Sequence, residues 1–127
     1  MNLLADIWIE KANDFLDEAK SCFKRNKFEL TCFHSQQSAE FYLKGILVAK
    51  TGSHIFTHSL VELLEALESI GIKIPEDIYT IAEALEAHYI KSRYPSRHFK
   101  PYIDKDAKRC IKYAERIIQF AKTILEK

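Results

Sequence analysis

Apolar residues recur at helical spacing along most of this 127-residue chain, and this periodicity restricts its possible folds more than any other feature. The first segment shows it in a run of residues at alternating intervals of four and three: Trp8, Ala12, Phe15, Ala19 and Cys22. Such spacing places side chains on one face of an α-helix. No segment alternates polar and apolar residues for long enough to predict a β-strand. The sequence therefore predicts an all-α fold.

Capping residues mark the end of the second predicted helix and the start of the third. The first helix is expected from residue 3 to about 25, and the second from Phe28 to about Lys50. Gly52 suits the position just after the end of the second helix, because glycine adopts the left-handed conformation without strain. Ser59, with Glu62 three residues later, predicts a capping box at the start of a short third helix.

Prolines and acidic residues mark the remaining two helices. Pro75 suits the first turn of a fourth helix, and Pro95 should end that helix near Arg93, because proline disfavours helical geometry in the residue before it. The last helix is expected to begin with Asp104 as its N-cap and to reach the C-terminus. We therefore predict an antiparallel up-and-down four-helix bundle with one additional short helix, in a single domain over residues 1–127.

The amino-acid composition excludes several classes of protein. The net charge is +1, so any anion must be bound by a local cluster rather than by the overall field. Three widely spaced cysteines, without a Cys-x-x-Cys pair, predict buried free thiols in a reducing compartment rather than disulfides or a zinc knuckle. No apolar run reaches the ~18–20 residues of a membrane span, and the N-terminal segment lacks the features of a signal peptide. We expect a cytoplasmic protein with no metal and no cofactor.

A basic segment, SRYPSRHFKP at residues 92–101, stands out against this nearly neutral background. No acidic residue occurs from 87 to 103. Arginine and lysine here would bind phosphate, and the aromatic residues would stack on bases. The candidate phosphate-binding residues are Arg93, Tyr94, Arg97 and Lys100. Alternatively, the segment only turns the chain, and its charge complements the negative end of the preceding helix.

Arg93 and His98 form an Arg-x4-His spacing within this segment. The arginine could stabilise negative charge on a phosphate, and the histidine could transfer a proton near neutral pH. The pair is therefore the candidate catalytic pair, although such a spacing is also common by chance.

Polar residues on the second helix form a further candidate cluster. Gln36, Glu40 and Lys44 lie at intervals of four, so they share a helix face, and Gln37 adds to its polarity. One interpretation is a solvated stripe with a single ion pair, and the other is a restricted polar cluster or a dimer face. His58, four residues after His54, precedes the capped third helix, so the two histidines should not share a helix face as metal ligands.

Taken in order, the motifs of this chain resemble those of the HEPN domain family across nearly its whole length. The resemblance is carried by a Gln-Gln-x-Ala-Glu-x-x-x-Lys core, a His-Ser-Leu start of the short helix and an Arg-Tyr-Pro after the fourth helix. The matching residues are Gln36, Gln37, Ala39, Glu40, Lys44, His58, Leu60, Arg93, Tyr94 and Pro95.

The resemblance implies a homodimer, nucleotide binding and a small nucleotidyltransferase partner, as in a toxin–antitoxin pair. In one branch of the family, metal-independent endoribonuclease toxins place an Arg-x4–6-His motif between two protomers. His98 would there assist attack of a 2′-hydroxyl, and Arg93 would stabilise the developing charge. Such enzymes commonly carry a small polar residue after the arginine and a tyrosine two after the histidine, where this chain has Tyr94 and Lys100.

Three hypotheses follow. The favoured one is a non-catalytic module that binds nucleotide or RNA phosphate as a dimer beside its nucleotidyltransferase partner. The first alternative is a metal-independent endoribonuclease toxin that uses Arg93 and His98. The second alternative is a purely structural helical interaction protein, because every feature except the basic segment also serves packing.

Overall fold

The computed structural model describes residues 2–126, whose regular elements are all helices, with no strand among them. The helical segments, in chain order, are α1 Leu3–Lys24, α2 Phe28–Thr51, α3 Leu60–Ser69, α4 Glu76–Glu86, α5 His88–Lys91 and α6 Asp104–Leu125. Only Ala87 separates α4 from α5, so together they form one interrupted helix, and the described chain has the five predicted helices. The predicted all-α bundle is confirmed.

Helix α2 is the centre of the bundle. It packs along α1 and α6 and also contacts α3, α4 and α5. The core around it is aliphatic, with Leu43, Ile46, Leu64 and Ile117 fully buried. Burial of each such side chain stabilises the fold by about 1.5–3 kcal/mol relative to exposure. No helix within residues 2–126 is long and apolar enough to cross a membrane.

Helices α1 and α2 approach each other closely at Gly45. A Cβ atom built at this position would lie 2.8 Å from Cγ1 of Ile9, 3.2 Å from Cβ of Trp8 and 3.3 Å from the carbonyl oxygen of Ala5. A side chain here would therefore force the two helices apart.

The capping predictions are confirmed only in part. Gly52 ends α2 with φ = 87°, as expected. The Ser59 hydroxyl accepts the Glu62 N–H at 3.1 Å, but the Glu62 carboxylate accepts from the Thr57 hydroxyl at 3.0 Å instead of completing the box. The first half of the predicted capping box is thus present, and the second half is replaced by a contact within the preceding loop.

The start of α6 differs by one residue from the prediction. Asp104 is the first helical residue rather than the N-cap, which is Ile103. The helix is capped by the Asp106 carboxylate, which accepts the N–H of Ile103 at 2.9 Å. An isoleucine side chain cannot accept a hydrogen bond, so the sequence pattern indicated the adjacent aspartate as the N-cap instead.

The predicted fourth helix is interrupted at Ala87. Helix α4 ends at Glu86, and the single turn of α5 continues to Lys91, two residues before the expected end near Arg93. The Glu86 carboxylate accepts from the Ser59 hydroxyl and from the N–H of Val61, both at 2.9 Å. These bonds tie the end of α4 to the start of α3. The interruption that follows sets the direction of α5 and of the segment that carries Arg93.

Candidate functional site

The polar cluster of α2 is buried. Gln36, Glu40 and Lys44 are only 0%, 1% and 6% exposed. The Glu40 carboxylate accepts from Nζ of Lys44 at 3.0 Å and from Nε2 of Gln36 at 3.2 Å. The solvated-stripe interpretation is therefore wrong, and the restricted polar cluster is correct. Burial of an ion pair is tolerated here because the carboxylate oxygens are hydrogen-bonded.

His58 extends this cluster from the loop before α3. Its Nδ1 lies 3.2 Å from Oε2 of Glu40, and its ring stacks on Tyr89 with 4.4 Å between the ring centroids. The Gln36 side chain also donates to the carbonyl of His58 at 3.2 Å. His54 instead packs edge-on against Trp8, with 4.7 Å between the rings. The two histidines therefore have separate partners, in agreement with the expectation that they do not form a pair of metal ligands.

Arg93 joins the segment after α5 to the polar cluster. Its guanidinium donates to the side-chain oxygens of Gln36 and Gln37 and, at 2.9 Å, to the carbonyl oxygen of Tyr89. The guanidinium carbon lies 3.8 Å from the ring centroid of Tyr89 and 4.4 Å from that of Phe33. Aromatic rings and amide oxygens thus fix the plane of the guanidinium.

The charge of Arg93 is not neutralised by an ion pair. Burial lowers the pKa of Arg93, while Tyr89 and Glu40 act in the opposite direction. The guanidinium nevertheless stays protonated, since arginine does not lose its proton in proteins. Among the described residues it has no carboxylate within salt-bridge distance, because its oxygen partners are amides and a carbonyl. Arg93 therefore offers a fixed positive charge to a ligand.

A cavity of about 360 Å³ opens beside Arg93, between the start of α2 and the segment before α6. Its lining is basic and aromatic, with one acidic residue: Glu29, Lys91, Arg93, Tyr94, Pro95, Ser96, Phe99, Lys100, Pro101 and Tyr102. This volume lies at the lower end of the range of about 300–1,000 Å³ that is typical for small-molecule sites. The composition suits a phosphate with an attached base.

The structure groups some of the predicted site residues and separates others. Arg93, Tyr94 and Lys100 line the cavity together. Arg97 and His98 lie in an exposed turn and do not line it. The backbone N–H of His98 donates to the Ser96 hydroxyl at 3.2 Å, and no hydrogen bond within residues 2–126 joins its ring to Arg93. The Arg-x4-His pair is therefore not assembled within one chain.

Two residues that hold Arg93, Tyr89 and Phe33, are not among those that the sequence motifs indicated. A signal for each was present, since Tyr89 lies four residues before Arg93, and Phe33 lies three before Gln36 on the same face of α2. Lys91, which also lines the cavity, belongs to the basic run itself.

Comparison with known proteins agrees with the motifs. The family model that matches describes a HEPN domain, and the match covers residues 5–124. The chain belongs to the HEPN domain family. A curated relative of this HEPN domain, Putative toxin MJ1304 of Methanocaldococcus jannaschii, is 29% identical over 136 residues, covering 96% of this chain and 88% of the relative.

Solved structures share the fold of this HEPN domain. The protein TT1696 from Thermus thermophilus is 30% identical, with a TM-score of 0.87, and the match covers 94% of this chain and 97% of that one. ST0689, an archaeal HEPN homologue, is 34% identical with a TM-score of 0.77, covering 94% and 95%. A HEPN domain protein from Thermotoga maritima is 28% identical with a TM-score of 0.78, covering 94% and 98%.

Proposed function

We propose that this HEPN domain is a non-catalytic module that binds the phosphate of a nucleotide or of RNA. The observation that carries the proposal is the fixed and unneutralised guanidinium of Arg93 at the wall of a basic, aromatic cavity. An arginine that is already oriented attracts a phosphate with its charge without further loss of side-chain entropy.

The other residues that line the cavity have different roles in binding. Lys91 and Lys100 add positive charge that attracts the anion. Tyr94 and Phe99, both partly exposed, offer faces on which a base can stack, a contact worth about 1–3 kcal/mol per base. Glu29 opposes an anion at one side of the cavity. We therefore place the phosphate on the side of Arg93 and Lys100.

We further propose that the protein acts as a homodimer together with a partner protein. The resemblance implies a homodimer that works beside a small nucleotidyltransferase, and the relative described as a toxin is compatible with a toxin–antitoxin-like pair. The test is co-expression with a nucleotidyltransferase encoded beside this gene, followed by affinity purification through a tag on either protein. Recovery of a stable complex from both tags supports the pairing, and its absence from both contradicts it.

The direct test of the phosphate site is fluorescence anisotropy with a labelled single-stranded RNA of mixed sequence, in the presence of a chelator. Lys100→Ala removes a cavity charge and is expected to weaken binding about tenfold. Lys122→Ala removes another exposed lysine, from the last turn of α6, and should leave binding unchanged. Equal affinity of both variants and the wild type would contradict the proposed site. Absence of RNA binding and of nucleotide binding would favour a purely structural role.

A second candidate function is metal-independent ribonuclease activity, favoured by the toxin description of the relative. His98 lies on an exposed turn, so two copies of the chain could bring His98 of one to Arg93 of the other. The same RNA samples test this, because cleavage in chelator would be visible on a gel. Cleavage that is lost in both Arg93→Ala and His98→Ala would establish the nuclease, whereas intact RNA leaves the binding function.

A further inference from the structure

Two buried thiols and an imidazole meet behind the proposed phosphate site. Cys32 of α2, Cys110 of α6 and His88 of α5 each offer a ligand atom, and these atoms all lie within 4.8 Å of one another. Both cysteines are free and at most 1% exposed. Because the three residues come from three different helices, their convergence depends on the packing of the whole bundle.

The donor set and its spacing suit zinc. Zinc prefers thiolate sulfur at about 2.3 Å and imidazole nitrogen at about 2.0–2.1 Å in tetrahedral geometry. Tetrahedral ligand atoms at these bond lengths are separated by roughly 3.4–3.8 Å. Small rotations of the three side chains would therefore close the cluster around an ion. Two thiolates also favour zinc over magnesium and calcium, which prefer oxygen ligands.

His88 is already oriented by a neighbouring group. Its Nδ1 lies 2.7 Å from the hydroxyl of Tyr102, which leaves Nε2 as the nitrogen for an ion. Metal-ligating histidines usually have such a partner on the second ring nitrogen, because it fixes the tautomer and the ring direction. Tyr102 also lines the cavity, so the cluster lies directly beside the proposed site.

The thiol of Cys32 has a weak competing contact, since its Sγ donates to the carbonyl oxygen of Asp106 at 3.6 Å. Binding of an ion would replace this contact, because a thiol loses its proton when it becomes a metal ligand and the charge of the ion favours that loss.

A second group of possible ligands is less suitable. Glu18, Cys22 and His34 also lie close together, but Glu18 is exposed and already forms a salt bridge with Arg25 at 3.2 Å. This group contains one thiol instead of two. It provides a matched control, because Cys22 is as deeply buried as Cys110.

We propose that Cys32, His88 and Cys110 bind a zinc ion, with a water molecule in the fourth position. The ion joins α5 to α2 and α6. Since Arg93 follows His88 by five residues, the ion also fixes the start of the segment that carries the phosphate-binding arginine. The site does not depend on the proposed function.

The test uses the full chain, kept reduced and freed of metal with a chelator, and titrated with Co²⁺. The expected result is a thiolate-to-cobalt charge-transfer band together with the visible bands of a tetrahedral site, saturating at one ion per chain. These bands should disappear in Cys32→Ser and Cys110→Ser and persist in Cys22→Ser. His88→Gln should weaken binding at least tenfold, and Zn²⁺ should displace the cobalt.

The titration of the wild-type protein decides the outcome independently of any variant. Absence of thiolate bands in the wild type would overturn the proposal, as would bands that survive in Cys110→Ser but vanish in Cys22→Ser. Thermal unfolding provides a second readout. Zn²⁺ should raise the Tm of the wild type and of Cys22→Ser but not of Cys110→Ser, and an equal rise in all three would contradict the site.

Discussion

Glu40 is the residue on which the buried polar cluster most depends, because Lys44, Gln36 and His58 all contact its carboxylate. Glu40→Gln removes the negative charge and leaves the Lys44 ammonium, whose side chain is 8% exposed, without its ion-pair partner. We expect a loss of about 3 kcal/mol in the free energy of unfolding, since breaking a buried pair from one side is strongly destabilising. Urea denaturation measures this loss.

The matched control for Glu40→Gln is the same substitution in an exposed pair. Glu115→Gln removes the partner of Lys20, which lies 3.2 Å away with both side chains nearly half exposed. Such pairs contribute about 0–1 kcal/mol. A loss in Glu40→Gln no larger than in Glu115→Gln would contradict the role of the buried cluster.

His34 links stability to pH. Burial lowers its pKa, Arg93 acts in the same direction and Glu18 opposes them, while the buried Nδ1 has no hydrogen-bond partner among the described residues. As the pH falls below the ordinary histidine value of about 6.5, the unfolded chain takes up the proton more readily than the folded chain. The contribution of His34 to stability is therefore complete above this pH and is lost as the pH falls through the lower pKa of the folded state.

His34→Phe should remove this part of the pH dependence, because Phe15 and Phe33 already flank the ring. Urea denaturation above and below pH 6.5 measures the change in slope. His98→Gln, at an exposed position, serves as the control. If His34→Phe loses as much stability on acidification as the wild type, the assignment to His34 is wrong.

At the scale of elements, the α1–α2 contact depends on a single glycine. Gly45→Ala gains about 1 kcal/mol of helix propensity, but it introduces a methyl group only 3.3 Å from the backbone of α1. Overpacking typically costs about 1–3 kcal/mol, so we expect a lower Tm. Ser21→Ala, on the exposed face of α1, measures the propensity gain without the clash. A Gly45→Ala protein as stable as Ser21→Ala would contradict the close approach.

Elements with strong periodicity were predictable, and those fixed by long-range contacts were not. Residues in α1 and α2 repeat at helical spacing, and Gly52 ends α2 where expected. The interruption at Ala87 follows from the bonds between Glu86 and α3, which join residues 25 and 27 positions apart. No local pattern contains that information.

The residues of the candidate site also differ in how well the sequence predicts their contacts. Motif spacing indicated Gln36, Glu40, Lys44 and Arg93, and the structure joins them in one network. Spacing along the chain also suggested that Arg93 and His98 form a pair, but the turn between them carries His98 away from the cavity. Whether two side chains meet across a turn depends on its three-dimensional path, which sequence intervals do not define.

At the scale of the whole molecule, we expect this HEPN domain to form a dimer, with a mass twice the 14.8 kDa of the chain by light scattering after gel filtration. Only in such a dimer would His98 of one copy lie near Arg93 of the other. A monomeric mass at micromolar concentration would contradict the dimer and, with it, a nuclease assembled between two copies.

The central claim is that the cavity beside Arg93 binds phosphate, and the salt dependence of RNA affinity tests it most directly. Each phosphate contact in single-stranded nucleic acid contributes about −0.7 to the slope of log K against log salt. Lys100→Ala should reduce the magnitude of the slope by about 0.7, whereas Lys122→Ala should leave it unchanged. Identical slopes for the wild type and both variants would show that the RNA phosphates lie elsewhere.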